Sequence, residues 1–127
     1  MDQPQFLKSK VDVSKITWID VFDKIESDRE EKTLRIALPI ENPDWNVMTL
    51  KEIILHHGDM NTIACHGDYI PLNMIPLFNY MEKYYGMKRF HQYTSFNNES
   101  NTLGYHNDTV NVIIVPIIGE MGYFFFF

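Results

Sequence analysis

Cysteine is almost missing from this chain. Cys65 is the one cysteine in 127 residues, so no internal disulfide can form, and the expectation is a small buried hydrophobe in a reducing compartment. Positive charge is short as well: 11 Lys and Arg stand against 17 Asp and Glu, a formal net charge of -6. That balance offers no basic footprint for nucleic acid. No apolar run approaches the ~18 residues of a membrane-spanning helix, and the opening MDQPQFLKSK lacks the apolar stretch of a secretory signal. Together these absences predict a soluble, cytoplasmic protein with neither nucleic acid nor membrane as partner. The six glycines are isolated, so no Gly-rich phosphate loop appears. There is no G-x-S-x-G, and Cys65 beside His66 does not make the nucleophile–base pair that covalent catalysis needs.

What is present suits a packed core. Apolar residues make up 45% and aromatics 14% of the chain, enough to argue against disorder. The length predicts one domain over 1–127, with a helix-rich part at 1–87 and a β-rich part at 88–127. Lys8, Lys10, Lys15 and Lys24 are interleaved with acids, as on a solvated face.

The periodicities set out an α+β order. In ITWIDVFDKIESD (16–28), Ile16, Ile19, Phe22 and Ile25 recur at threefold spacing, with Thr17 as N-cap and Asp20 in the first turn. TLRIALPI (33–40) alternates as a strand ended by Pro39. TLKEIILHHG (49–58) carries a capping box, Thr49 with Glu52, and a stop at Gly58. IPLFNYMEKYYG (75–86) places Pro76 in a first turn and Gly86 as the stop, with Leu77, Tyr80, Met81 and Tyr84 as its apolar positions and its aromatic run as core. Trp18 and Trp45 read as packing residues. In RFHQYTSF (89–96), Phe90, Gln92, Thr94 and Phe96 alternate with His91, Tyr93 and Ser95. From Tyr105 to Ile118 the chain is β-rich and apolar on both faces, which predicts a strand covered on both sides, with Pro116 marking an edge or bulge.

The candidate chemistry sits at His106 and Asp108. Residues two apart in a strand project together, and an imidazole beside a carboxylate suits a divalent first-row metal, being two thirds of a 2-His-1-carboxylate triad. The remaining histidines are weaker candidates. His91 lies on the face of Tyr93 and Ser95, whereas adjacent His56 and His57 diverge by about 100° on a helix and cannot chelate from one face. His66 and Cys65 lack the spacing of a metal motif.

The stretch YTSFNNESNTLGYHNDTVNVIIVPIIGEMGY (93–123) resembles the cupin-like, JmjC-type Fe(II)/2-oxoglutarate oxygenases. In that superfamily a strand, a small-residue loop, an H-x-D and a D-v-f-l-v-q-l-x-G strand follow in order. The resemblance implies a double-stranded β-helix and a non-heme Fe(II) held by His106 and Asp108. It also implies 2-oxoglutarate as cosubstrate and Tyr105 and Asn111 in the pocket or behind the ligands. No histidine follows His106 and no Lys or Arg follows Arg89. The expectation is therefore helices packed on an antiparallel sheet resembling part of a cupin barrel, shortened at its C-terminus. Its metal site would be incomplete, with His91 the candidate third ligand and no catalytic residue assigned. The alternative is a non-catalytic, self-associating binding or structural module that keeps the fold. In either case the terminal YFFFF (123–127) predicts a homo-oligomer that buries this aromatic strand.

Overall fold

The computed structural model describes residues 11–36, 48–55, 61–97 and 112–119. Its first helix, α1 (Trp18–Glu30), begins where the spacing predicts, with Thr17 as N-cap and a complete capping box between Thr17 and Asp20. The Asp20 carboxylate accepts from the Thr17 backbone N–H at 2.9 Å. The buried face of α1 is shifted from the predicted one. Ile19 is 79% exposed, while Val21 and Ile25 are buried together with Asp20, Lys24 and Asp28. Lys24 is thus no surface lysine; its exposure is 0%. After the helix, Lys32 takes the left-handed conformation (φ 61°) and turns the chain back toward the sheet.

The sheet comprises β1 (Leu34–Ile36), β2 (Ile63–Cys65) and β3 (Gln92–Thr94) in the order β1-β2-β3, antiparallel throughout. Leu34 pairs with Cys65, and Cys65 with Gln92. The strands are spread across the described chain rather than gathered toward its end, and β1 and β2 fall within the part expected to be helix-rich. The central strand β2 escapes the period-two test because all three of its residues are buried. Leu34, Ile36, Ile63 and Cys65 face α1 and form one core cluster with Val21 and Ile25. Gln92 fastens β3 to the helix, its Nε2 donating to the Val21 carbonyl at 3.1 Å.

Two further helices close the core. α2 (Leu50–Ile53) has the predicted Thr49–Glu52 capping box and buries Ile53. Its expected continuation to Gly58 enters 56–60, outside the described residues. α3 (Ile75–Tyr85) has Pro76 in its first turn and ends at Gly86 in the left-handed conformation (φ 67°), as glycine readily allows. Its core positions are Leu77 and Met81. Tyr80 is half-buried, but Tyr84 and Tyr85 are exposed, so only part of the aromatic run is core. Trp18 is 41% exposed yet stacks on Phe22 and Phe96 at 5.8 and 5.5 Å between ring centroids.

The apolar stretch at 112–117 forms no ladder with the described strands. Ile113, Val115 and Ile117 pack against the core, whereas Val112 and Ile114 remain 53% and 43% exposed. This corrects the expectation of burial on both faces. One side of the segment is covered by the core and the other is not.

Candidate functional site

The face of the sheet turned away from α1 brings polar groups together. Arg35, Ala64 and Tyr93 are cross-strand partners in the register. Two residues away on β2 and β3, the same register sets Thr62 opposite Ser95 at one end and His66 opposite His91 at the other. The Thr62 and Ser95 hydroxyls are 2.7 Å apart. The His66 and His91 rings lie 4.4 Å apart with their planes inclined at 47°. Tyr93 meets His66 edge-on at 5.9 Å. His91, Tyr93 and Ser95 therefore share a face, as the alternation predicts, and all are exposed.

The position of His66 is set from the opposite side of the sheet. Lys24 Nζ donates to Asp28 Oδ1 at 3.0 Å and to the Gly67 carbonyl at 2.7 Å. Asp28 Oδ2 accepts from the Gly67 backbone N–H at 2.8 Å. One i,i+4 ion pair on α1 thus satisfies both backbone groups of the residue that follows His66. The His66 N–H donates to the Thr33 carbonyl at 3.1 Å, which fixes the other side of the turn. Position 67 must be glycine for space: a Cβ there would lie 2.6 Å from Thr33 Oγ1 and 2.8 Å from Asp28 Oδ1. Lys24 Nζ also lies 6.0 Å from the Phe90 ring centroid. Sequence reading missed this clamp. Its available signals were Lys24 and Asp28 at helical spacing and the HGD at 66–68.

The surroundings of both imidazoles favour the neutral form. Partial desolvation by the neighbouring side chains lowers the proton affinity of His66 below the ordinary imidazole value, helped by His91 and Arg35. Partial desolvation likewise lowers that of His91, with Arg89 and Lys24 adding to it. Asp28 opposes the shift in both. Cys65 is fully buried, and its thiol is pushed strongly upward by desolvation and then by Asp28, so it is an inert core group.

Among the described residues, no group of three His, Cys, Asp or Glu side chains could hold a metal ion. His106, Asp108, Tyr105 and Asn111 lie outside the described residues, as do His56, His57, Trp45 and the YFFFF segment. Of the predicted site residues, only His91 lies among the described residues, and its ring packs against that of His66. An open apolar groove of about 460 Å³ runs between α1 and α2, lined by Phe22, Leu50, Lys51, Ile54 and Leu55. It holds no acid, base or nucleophile other than Lys51. No helix among the described residues is long and apolar enough to cross a membrane. Comparison with protein-family models, curated proteins and solved structures found no match to the chain.

Proposed function

We propose that the chain is a cupin-like protein related to the non-heme Fe(II)/2-oxoglutarate oxygenases, carrying part of the metal site as His106 and Asp108. The observation that carries this reading is the order of strand, polar loop, His-x-Asp and apolar segment over 93–123. The two-faced sheet supports it, with α1 against one side and His91, Tyr93 and Ser95 on the other. A cupin wall needs that polarity, with helices outside and donor groups inside.

Two imidazoles and a carboxylate suit Fe(II), so His106, Asp108 and His91 fit the metal as a donor set. When bound, the iron with 2-oxoglutarate would supply oxidation by O₂. The chain's own residues would hold the metal, and Tyr105 and Asn111 would line the pocket or orient the ligands. Metal analysis of protein purified with saturating Fe(II) should find near-stoichiometric iron that is lost in His106→Ala. Iron-free wild-type protein would overturn the reading.

A second reading belongs to another class, a self-associating module without chemistry. The uncovered face formed by Val112 and Ile114 favours it. Light scattering on a size-exclusion column should then give a mass above 15.0 kDa, and a stable monomer would refute it.

A further inference from the structure

We infer that His66 and His91 form a two-histidine site for a transition-metal ion of the Zn²⁺ or Ni²⁺ class on the open face of the sheet. The inference does not rest on the oxygenase reading: it uses neither His106 nor Asp108, and where the two readings share His91 it pairs that ring with His66 instead.

The geometry starts from the ladder. In an antiparallel pair, directly opposed residues alternate between hydrogen-bonded positions and narrower non-hydrogen-bonded ones, where the Cα atoms are about 4.5 Å apart and side chains stand closer. The His66 N–H is directed away from β3, to the Thr33 carbonyl on the β1 side. His66 therefore meets His91 as a non-hydrogen-bonded pair. Thr62 and Ser95 occupy the equivalent position at the other end of the same two strands, and their hydroxyls do touch, at 2.7 Å.

The distance suits chelation. Zn–N bonds of about 2.0–2.1 Å in a tetrahedron put two ligand nitrogens roughly 3.3 Å apart. Rings whose centroids are 4.4 Å apart are close enough for one nitrogen of each to reach that separation by rotation about the broad second side-chain torsion of histidine. Both rings are exposed, so an ion can reach them.

The backbone beneath the pair is held before metal arrives. Gly67 is fastened through both its N–H and its carbonyl by Asp28 and Lys24, and the ladder holds β3 next to His91. Little ordering remains to oppose binding. Two protein ligands leave positions for solvent or a further ligand. The charges of Arg35 and Arg89, which act on His66 and His91 respectively, oppose a bare cation there and favour one that carries an anionic ligand. The expected complex is a metal that carries an exchangeable anionic ligand.

The test uses the full chain with His106→Ala and Asp108→Ala installed, so that any site built on that pair is removed. Zn²⁺ is titrated calorimetrically, and the thermal midpoint is followed with and without Zn²⁺. About one Zn²⁺ per chain should bind and raise the midpoint. Adding His66→Ala or His91→Gln should weaken binding by roughly tenfold or more, since losing even an outer partner of a metal ligand costs that much, and should abolish the midpoint shift. Both positions are exposed, so circular dichroism should report an unchanged fold. No Zn²⁺ binding in the starting variant, or equal binding in the His66 and His91 variants, would overturn the inference. Failure of the oxygenase reading looks different, as iron-free wild-type protein with Zn²⁺ binding at His66 and His91 intact.

Discussion

A lysine at 0% exposure is the most informative single side chain in this protein. Charged groups in such a setting persist only when paired and hydrogen-bonded. Lys24 meets that condition through Asp28 and Gly67, and Asp28 through Lys24 and the Gly67 N–H. Lys24→Met should accordingly cost about 3–5 kcal/mol, because it leaves a buried carboxylate without its counter-charge. The double variant Lys24→Met/Asp28→Leu should lose clearly less than the two single losses added together, as denaturant midpoints would show. Additive losses would mean the two charges do not act as a unit. Gly67→Ala should destabilise by about 1–3 kcal/mol, since Thr33 and Asp28 must move for the new Cβ. Across the sheet, the imidazoles give stability a pH dependence. Both histidines have native proton affinities below the ordinary value of 6.5, so just below that pH the unfolded chain binds more protons than the native one. Stability should be level above this value and fall as the pH drops through it. Denaturant midpoints at about pH 7.5 and about pH 5.5 should differ less in the doubly substituted His66→Gln/His91→Gln variant than in wild type. An unchanged difference would assign the effect to other groups.

Elements with strong end signals were the legible ones. Thr17 with Asp20, Thr49 with Glu52 and Gly86 each mark a helix boundary that the structure keeps. Caps are local: a side chain satisfies a backbone donor a few residues away, and no tertiary knowledge is needed. Thr17→Ala should therefore cost about 1 kcal/mol, measured by thermal or denaturant unfolding, and Thr17→Ser should recover most of it. The faces of α1 were harder to read. Apolar spacing placed Ile19 inside, whereas the tertiary clamp draws Lys24 and Asp28 in and leaves Ile19 to solvent. Strand β2 was illegible for a related reason. Three consecutive buried residues in the centre of a sheet have no alternation to detect. β3 shows the contrast, since its alternation was legible in the sequence, and the structure buries Gln92 and Thr94 and leaves Tyr93 exposed.

At the scale of the molecule, the sheet's two faces divide the labour. One gathers Leu34, Ile36, Ile63 and Cys65 against α1, and the other sets out His66, His91 and Tyr93. That His91, Tyr93 and Ser95 share a face was legible from alternation. Its pairing with His66 was not, because opposition across strands depends on a register that only the fold supplies. The same architecture predicts an order of local opening. β2 is hydrogen-bonded on both sides and α1 lies over it, so its amides can exchange only when the core opens. The segment 112–117 has one half-buried side and no ladder to the described strands. Native-state hydrogen exchange should therefore protect Ile63, Cys65 and the middle of α1 most, with protection close to that of global unfolding. Ile113, Val115 and Ile117 should exchange far faster despite their apolar side chains, because burial of a side chain does not shield an amide that makes no ladder bond to the described strands. Protection at 112–117 equal to that of β2 would show that this segment is paired, either within the chain or with a second copy. Repeating the exchange over a range of protein concentrations would separate those two, since only pairing between copies strengthens as the protein is concentrated.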